Sequence, residues 1–305
     1  MAASGISTLA VTPDGSALVT GDGLGTIRRW PLISGGAVYA VRYEEGVVKA
    51  VDDVTFDLEQ GQILGLVGES GCGKTTIGMG LMRLLASNAR IVSGHARFEG
   101  EDLTTLSDKR MRQIRWRRIS MIFQAAMNAL NPVHRIGKQL SEVFLLHQDI
   151  TPRTALEKSI EILDKVGIPS PEIRVGEYPH QLSGGMRQRV MIAIALACKP
   201  ALVIADEPTT ALDVTIQAQI LELMKSLQEE MGMSILLITH DLGLVNELSD
   251  RIAVMYRGRL VETGSTDEIM TKPLHPYTLK LFSSVPGVDA VEVLAPLGAL
   301  LVDSP

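Results

Sequence analysis

The chain has 305 residues, of which 46% are hydrophobic and 21% charged, a balance typical of a globular protein and not of a disordered one. Its formal net charge of −6 gives no reason to expect a nucleic-acid partner held by bulk charge. The chain has only two cysteines, Cys72 and Cys198, which argues against a disulfide framework or a metal cluster. Because the sequence shows no leader pattern and no stretch of about 18 apolar residues, we expect neither secretion nor a membrane span.

Residues 1–36 differ in character from the rest of the chain. Residues 7–11 and 17–20 are short strand-like runs around a turn at residues 13–15, and a glycine-rich stretch then leads to a third run that ends in Trp30. The arrangement resembles a single WD-type propeller repeat, which cannot bury its own faces because a propeller needs several blades. We interpret it as a dispensable fused extension, with a partner-docking hairpin as the alternative.

The main domain is predicted to begin at residue 37. Residues 38–43 and 47–58 alternate apolar and polar side chains, as strands do. The continuous apolar run at residues 63–67 predicts a strand that is buried on both faces. A glycine-rich loop follows, and residues 75–85 are predicted to form a helix.

The loop at residues 68–75, Gly-Glu-Ser-Gly-Cys-Gly-Lys-Thr, fits the P-loop pattern without a mismatch and lies between a strand and a helix, as the pattern requires. Its glycines let backbone amides surround a phosphate chain, and the helix N-terminus adds positive potential. Lys74 is expected to reach the β and γ phosphates of ATP, and Thr75 to place its hydroxyl on Mg²⁺. The predicted nucleotide-binding residues of this loop are Gly68, Ser70, Gly71, Cys72, Gly73, Lys74, Thr75 and Thr76.

The middle of the chain, at about residues 125–185, is predicted to be mostly helical. Thr151 followed by Pro152 is a good helix start, because a capping residue precedes a proline at the first helical position. The apolar spacing after them is that of a helix, and Gly167 is expected to end it.

A strand pattern then returns. Apolar runs at residues 201–205 and 234–239 predict buried strands, and Asp213 is expected to cap a helix between them that ends at Gly232. Residues 252–263 predict a hairpin. Strands separated by helices imply a mainly parallel α/β sheet, with the helical block as an insertion.

Four polar residues follow predicted strands and complete the site. Asp206 and Glu207 end the strand at residues 201–205, so Asp206 is expected to hold Mg²⁺ and Glu207 to orient or deprotonate the attacking water. His240 is expected to reach the γ-phosphate, and Gln124 to ligate Mg²⁺ and to sense that phosphate. Each of these residues alone is more often structural or solvated, and only the neighbouring P-loop makes them a set.

Residues 181–189, Gln-Leu-Ser-Gly-Gly-Met-Arg-Gln-Arg, resemble the signature motif of ABC ATPases. Read alone, Ser-Gly-Gly is more often a turn, but at a helix start it is a second anion-binding surface. The order of the motifs from about residue 38 to residue 286 is also similar to that family. The resemblance implies that the ATP site of a second nucleotide-binding subunit is completed by Ser183, Gly184 and Gly185, with Asp213 in the D-loop, and that Tyr43 stacks on adenine.

Within that family, the chain resembles the ATP-binding subunits of dipeptide, oligopeptide and nickel importers. The resemblance lies in residues 67–71, 129–132 and 206–219 and in the tail motif at residues 275–278, His-Pro-Tyr-Thr. Many such subunits continue into a cysteine-rich segment that holds an iron–sulfur cluster, which we do not expect in this chain because no cysteine follows Cys198. The implied fold is an α/β P-loop NTPase core of the ABC type with a mainly parallel sheet, an antiparallel β subdomain and a helical insertion. The implied domains are an extension at residues 1–36, a nucleotide-binding domain at 37–265 with its helical subdomain at about 125–185, and a short extension at 266–305.

The resemblance further implies an ATP hydrolase that powers solute import, with peptides favoured, from the cytoplasmic face of the membrane. The implied partners are two transmembrane permease subunits, a second identical or homologous nucleotide-binding subunit and, indirectly, an extracytoplasmic solute-binding protein, with no nucleic acid. The permease contact is expected at about residues 125–145. Import of oligosaccharide or nickel is the alternative within the family. A soluble clamp ATPase of DNA repair or translation is the rival class, although the chain has neither a long coiled coil nor a second such domain.

Overall fold

The computed structural model describes the backbone of residues 6–11, 17–22, 27–31, 35–43, 46–124, 129–210 and 212–283, and the side chains of residues 48–124, 129–210 and 212–282. Strands β1 (Ile6–Val11), β2 (Ala17–Asp22) and β3 (Ile27–Pro31) pair antiparallel in a sheet of their own. They match the three strand-like runs of the N-terminal extension. The resemblance to a WD-type repeat stays a prediction.

Ten further strands and ten helices follow along the chain. The strands are β4 (Gly35–Tyr43), β5 (Gly46–Val54), β6 (Ile63–Val67), β7 (Ala89–Phe98), β8 (Glu101–Asp102), β9 (Ile119–Ile122), β10 (Leu202–Asp206), β11 (Ser234–Thr239), β12 (Arg251–Tyr256) and β13 (Arg259–Ser265), all within the described ranges. The helices are α1 (Lys74–Leu81), α2 (Asp108–Ile114), α3 (Ile136–His147), α4 (Pro152–Lys165), α5 (Pro171–Arg174), α6 (Gly184–Leu196), α7 (Val214–Met231), α8 (Leu242–Leu248), α9 (Thr266–Thr271) and α10 (Pro276–Ser283).

The central sheet is mainly parallel, as predicted. Its six strands lie in the order β13-β12-β6-β11-β10-β9, and only β13 is antiparallel to its neighbour, through the predicted hairpin with β12. A separate antiparallel sheet has the order β5-β4-β7-β8. The predicted combination of a mainly parallel core with a small antiparallel sheet is therefore confirmed. In the described parts of the chain, no helix is both long and apolar enough to cross a membrane.

The apolar strands separate two hydrophobic cores, because alternate side chains of one strand point to opposite faces. In β10, Val203 and Ala205 pack with the core that includes α3, α4, α6 and α7, whereas Leu202 and Ile204 pack with the core that includes α1 and α2. Every residue of β6, β10 and β11 is buried. Apart from Asp206, Ser234 and Thr239 at strand ends, the residues of these three strands are apolar or glycine for this reason, and no strand has a polar face.

The predicted helix caps are confirmed. The Thr151 hydroxyl accepts from the Thr154 amide at 3.3 Å ahead of α4, and the Asp213 carboxylate accepts from the Ile216 amide at 3.0 Å ahead of α7. Gly232 ends α7 with a φ of 63°. Such caps satisfy amides that the first helical turn leaves without a backbone partner.

Three predicted boundaries are wrong. Helix α1 ends at Leu81 and not at residue 85, because Arg83 adopts a φ of 49° that no α-helix continues. Strand β5 ends at Val54 and not at residue 58, and the positive φ of Asp53, 55°, falls where its register with β4 shifts. Strand β4 begins at Gly35, three residues before the strand-like run predicted at residues 38–43, and pairs with β7 from its first residue.

Candidate functional site

The P-loop connects β6 to α1, and two of its glycines have conformations that other residues rarely adopt. Gly68 has a φ of 153°, and a Cβ there would lie 2.1 Å from the Met255 carbonyl oxygen. Gly73 has a φ of 108°, and a Cβ there would lie 2.4 Å from the Ala50 carbonyl oxygen. The loop therefore packs against two neighbouring backbone segments at positions where only glycine fits. Gly71 faces open space.

Lys74 is a buried cation that is 5% exposed. Its Nζ donates to the carbonyl oxygens of Gly68 at 2.7 Å and Glu69 at 2.9 Å, and lies 3.7 Å from the Cys72 Sγ. Within the described side chains, no carboxylate forms an ion pair with it. The Lys74 ammonium is thus bonded to loop carbonyls and interacts with the Asp206 charge only through space, which leaves its N–H groups suited to a bound anion.

Asp206 and Thr75 face each other where β10 and the P-loop meet. The Thr75 hydroxyl donates to Asp206 Oδ1 at 3.1 Å. Burial raises the pKa of Asp206 against the opposing hydrogen bond from Thr75, and the neighbouring Glu207 charge raises it further. These oxygen ligands are of the kind that a small divalent cation prefers. The described residues contain no cluster of three or more histidine, cysteine or acidic side chains that would form a site by itself.

Glu207 follows β10 and collects three side-chain hydrogen bonds. Its carboxylate accepts from Gln124 Nε2 at 2.9 Å and from the Thr210 hydroxyl at 3.0 Å, and His240 Nδ1 lies 2.9 Å from its Oε1. Burial acts to raise the pKa of Glu207, but the hydrogen bonds from His240 and Thr210, aided by Gln124, lower it below its ordinary value. Its φ of 47° is unusual for a residue with a side chain.

These side chains meet because they follow strands that run parallel in one sheet. The order β6-β11-β10-β9 brings together, at one edge, the P-loop, His240, Asp206 with Glu207, and Gln124. The carboxyl ends of parallel strands share an edge, which is where open α/β sheets bind ligands. The predicted grouping of these residues is present in the structure.

The predicted second anion-binding surface lies at the start of α6. The exposed Ser183 caps the helix by accepting from the Met186 amide at 3.3 Å, and Gly184 and Gly185 form its first turn. A Cβ on Gly185 would lie 2.9 Å from the Ile216 Cγ2 of α7. The Ser183 side chain thus bonds within its own helix turn, and its exposed face is open to a second molecule.

The remaining predicted residues are placed as follows. Ser70 is exposed, Thr76 is half-buried in α1, and the exposed Asp213 uses its carboxylate to cap α7. The backbone of Tyr43 ends β4, but its side chain lies outside the described residues. The nucleotide contacts of these four residues stay predictions.

Sequence reasoning missed two residues that contact the site. Thr210 donates to Glu207 across a turn of three residues, a spacing at which hydroxyl side chains often bond to neighbours. Tyr277 accepts at 3.1 Å from the backbone amide of Glu69 in the P-loop. Its tail motif is visible in the sequence, but no local pattern connects it with residues that lie 208 positions earlier.

Comparison with known proteins gives the class of the chain. The model of the ABC transporter family matches residues 51–210, and that of the oligopeptide/dipeptide transporter C-terminal region matches residues 261–297. The chain belongs to the ABC transporter family, as an ATP-hydrolysing ATP-binding subunit of the oligopeptide/dipeptide group.

Curated relatives and a solved structure agree with this assignment. The oligopeptide transport ATP-binding protein OppD of Bacillus subtilis (strain 168) is 52% identical over 246 residues, which cover 80% of this chain and 69% of OppD. A putative peptide import ATP-binding protein of Brucella abortus (strain 2308) is 52% identical over 248 residues, covering 81% and 75%. The dimeric post-hydrolysis structure of the ATP-binding cassette MJ0796 with ADP and Pi superposes with a TM-score of 0.68 at 25% identity, covering 76% of this chain and 98% of that one. The predicted ABC fold is confirmed.

Proposed function

We propose that this chain hydrolyses ATP to power the import of peptides through two partner permease subunits, bound at the cytoplasmic face of the membrane. The proposal rests mainly on one observation: side chains at the carboxyl ends of neighbouring parallel strands lie close together. They are Lys74, Asp206, Glu207, Gln124 and His240. Peptide as the solute is supported by the names of the relatives and by the match to the oligopeptide/dipeptide C-terminal region.

The nucleotide site is assigned to the P-loop. Lys74 Nζ would exchange its hydrogen bonds to loop carbonyls for the β and γ phosphates, and the amides of residues 71–75 would surround the phosphate chain. The support is the buried charge of Lys74, whose hydrogen bonds go to the Gly68 and Glu69 carbonyl oxygens of the same loop. Tyr43 is assigned to the adenine ring and Ser70 and Thr76 to the rim of the same site.

Mg²⁺ would be held by Thr75, Asp206 and Gln124. The support is the chemistry of these ligands, which are all oxygen donors, and the 3.1 Å separation of Thr75 Oγ1 and Asp206 Oδ1. When bound, the ion neutralises charge on the β and γ phosphates. The buried Asp206 carboxylate, whose pKa is raised by burial, is the group that gains most from a nearby cation.

Glu207 is assigned as the base that activates the attacking water. The support is geometric: Glu207 follows β10 beside the P-loop, and its carboxylate, whose pKa is lowered, is ionised at neutral pH and can accept a hydrogen bond from water. In the nucleotide-free chain, Gln124 and His240 both point at its carboxylate. If Gln124 is to ligate Mg²⁺ and His240 is to contact the γ-phosphate, each would have to release its hydrogen bond to Glu207, which would leave that carboxylate available to water.

The assembly we propose pairs this subunit with a second nucleotide-binding subunit, identical or homologous. Ser183, Gly184, Gly185 and Asp213 would contact the nucleotide held by the partner's P-loop. The support is the exposed start of α6, together with the dimeric state of the similar cassette MJ0796. An extracytoplasmic solute-binding protein would act indirectly, through the permeases.

The permease contact is assigned to a groove of ≈ 750 Å³ beside α3 and α5. Val133 and Ile173 line it with side chains that are 72% and 65% exposed, and Arg135, Glu177 and Tyr178 add polar groups. Exposed apolar side chains within a polar rim are typical of a protein–protein contact. The groove overlaps the predicted contact at residues 125–145, of which residues 125–128 lie outside the described part.

The test replaces the wild-type chain by Lys74→Ala in cells that take up a labelled tripeptide. We expect ATP affinity to fall at least about a hundredfold and uptake to stop, since hydrogen bonds to charged groups contribute about 1.5–3 kcal/mol each. Lys109→Ala, which removes an exposed lysine of α2, is the control and should retain both. Near-normal ATP affinity in Lys74→Ala would contradict the assignment of the nucleotide site to the P-loop.

Two further outcomes concern the alternatives. Loss of labelled oligosaccharide or nickel uptake in Lys74→Ala, with peptide uptake intact, would favour the alternative solutes. Absence of permease subunits that co-purify with the wild-type chain would favour the clamp ATPase.

A further inference from the structure

One hydrogen bond connects the C-terminal segment with the nucleotide site. Tyr277, in the first turn of α10, accepts through its hydroxyl from the Glu69 backbone amide at 3.1 Å. Glu69 is the second residue of the P-loop, and it makes this hydrogen bond through its backbone amide while its side chain is exposed. The tyrosine itself is buried.

The segment that carries Tyr277 is held in place by its own contacts. Its ring packs on Tyr256 at the end of β12, with centroids 4.2 Å apart and planes at 34°. Glu262 accepts from the amides of Leu274 at 2.6 Å and His275 at 3.1 Å, and His275 Nδ1 accepts from the Tyr277 amide at 3.1 Å. The position of the hydroxyl is therefore set before any ligand binds.

On the other side of the same residue, the Glu69 carbonyl oxygen accepts from Lys74 Nζ at 2.9 Å and from the Cys72 amide at 3.3 Å. Glu69 is thus bonded to Tyr277 through its amide and to the phosphate-binding lysine through its carbonyl group. A shift of this residue changes where the Lys74 ammonium can reach. A contact that fixes Glu69 would therefore affect nucleotide binding by holding the P-loop in one conformation before the nucleotide arrives.

We propose that Tyr277 is a positioning residue of the P-loop, so that the segment at residues 274–283 forms part of the machinery that sets nucleotide affinity. The inference rests on the proposed function, because it concerns the same nucleotide site. Tyr277 touches no nucleotide; it fixes Glu69, which with Gly68 holds Lys74 in the nucleotide-free loop. A tyrosine that only fills the core would stabilise the fold and leave nucleotide affinity unchanged.

The test compares Tyr277→Phe with Tyr256→Phe in the full chain. Both keep the ring pair; the first removes the hydroxyl that accepts from Glu69, and the second removes a hydroxyl that makes no such bond to the P-loop within the described residues. Calorimetric titration with MgADP should show affinity two- to tenfold weaker in Tyr277→Phe, the range expected for one neutral hydrogen bond, and unchanged in Tyr256→Phe. Hydrogen exchange at the Glu69 amide should be faster in Tyr277→Phe alone. With ATP, KM should rise while kcat stays within about twofold.

A double-mutant cycle adds a second readout. Glu262→Ala removes the two hydrogen bonds that Glu262 accepts from the amides of Leu274 and His275. It should therefore weaken MgADP binding by displacing the Tyr277 hydroxyl, and its effect should not add to that of Tyr277→Phe. Equal MgADP affinity and equal Glu69 exchange in wild type and Tyr277→Phe would overturn the inference and leave the proposed function intact. So would equal losses in Tyr277→Phe and Tyr256→Phe. A wild-type chain that binds no nucleotide would instead overturn the proposed function.

Discussion

The charge of Glu207 and the hydrogen bonds that it receives are separable by one substitution. Glu207→Gln keeps the size of the side chain and an oxygen that accepts from Thr210 or Gln124, but it loses the charge and the basicity that activate water. We expect phosphate release to fall at least about a hundredfold, while ATP and Mg²⁺ still bind through Lys74 and Asp206. Removal of a negative charge near the γ-phosphate also eases repulsion, so an ATP-locked dimer should accumulate.

For Glu207→Gln, size-exclusion chromatography with Mg²⁺-ATP measures the accumulation of the dimer, and an assay of phosphate release measures the loss of hydrolysis. Glu229→Gln, an exposed position on α7, is the matched control and should behave as wild type. If the partner is a different nucleotide-binding subunit, that subunit must be added before the absence of a dimer is interpreted. Normal turnover in Glu207→Gln would show that another residue is the base.

The lowered pKa of Glu207 also determines how its contribution to the stability of the fold changes with pH. Because its pKa in the folded chain lies below the ordinary value, its ionised form stabilises the fold above the unfolded pKa, and that contribution is lost as pH falls through the folded pKa. Asp206 has the opposite sign, since burial raises its pKa and its charge costs stability at neutral pH. The pKa values of two adjacent carboxylates thus shift in opposite directions, in keeping with the different roles that we propose for them.

At the scale of elements, the accuracy of prediction depends on how local the physical cause is. The strands β6, β10 and β11 are predictable because burial on both faces requires a continuous apolar run. Their shared edge is predictable because parallel strands align their ends. The end of α1 is not predictable, because one residue with a positive φ, Arg83, fixes it, and that residue is not a glycine.

The contact between α10 and the P-loop is not predictable for a different reason. The tail motif His-Pro-Tyr-Thr is recognisable by resemblance, but the bond from Glu69 to Tyr277 depends on where β12 and β13 place the C-terminal segment. The side-chain hydrogen bonds around Glu207 likewise arise from three different parts of the chain. Such long-range pairs follow from the assembled sheet and have no local sequence signal.

The start of α6 supports a prediction about the dimer. We expect Ser183→Arg to leave ATP affinity of the monomer within about twofold but to block hydrolysis, because Ser183 is exposed and is assigned to the partner's nucleotide. Both Ser183→Arg and Ser183→Ala lose the cap on the Met186 amide, at a cost of about 1 kcal/mol in stability. Ser183→Ala adds no bulk or charge, so it should retain more hydrolysis and thereby separate the two effects. Loss of ATP binding by the isolated monomer with arginine at this position would contradict the two-subunit site.

On the scale of the whole molecule, the residues that we propose for the nucleotide site extend from Tyr43 to His240, and Tyr277 contacts the P-loop from the C-terminal segment. The N-terminal sheet of β1, β2 and β3 is different, because its strands pair only with one another among the described strands. The groove assigned to the permeases, the start of α6 assigned to a second subunit and the catalytic edge all belong to residues after β5. Function in this chain is therefore expected to be independent of the first three strands.

The last prediction concerns a deletion whose end point the structure defines. Removal of residues 1–34 takes away β1, β2 and β3 but leaves β4 complete, and we expect ATP affinity to change by less than about tenfold, or ~1.4 kcal/mol. Removal of residues 1–36, the extension expected from sequence, also takes Gly35 and Gly36, which pair with Ala96 and His95 of β7. The longer deletion should therefore unfold at a lower temperature than the shorter one, because it shortens a strand pair of the antiparallel sheet. Calorimetric titration with ATP and thermal unfolding of both deletions and the full chain measure these outcomes, and a loss of affinity greater than tenfold in the shorter deletion would show that the N-terminal sheet contributes to the nucleotide site.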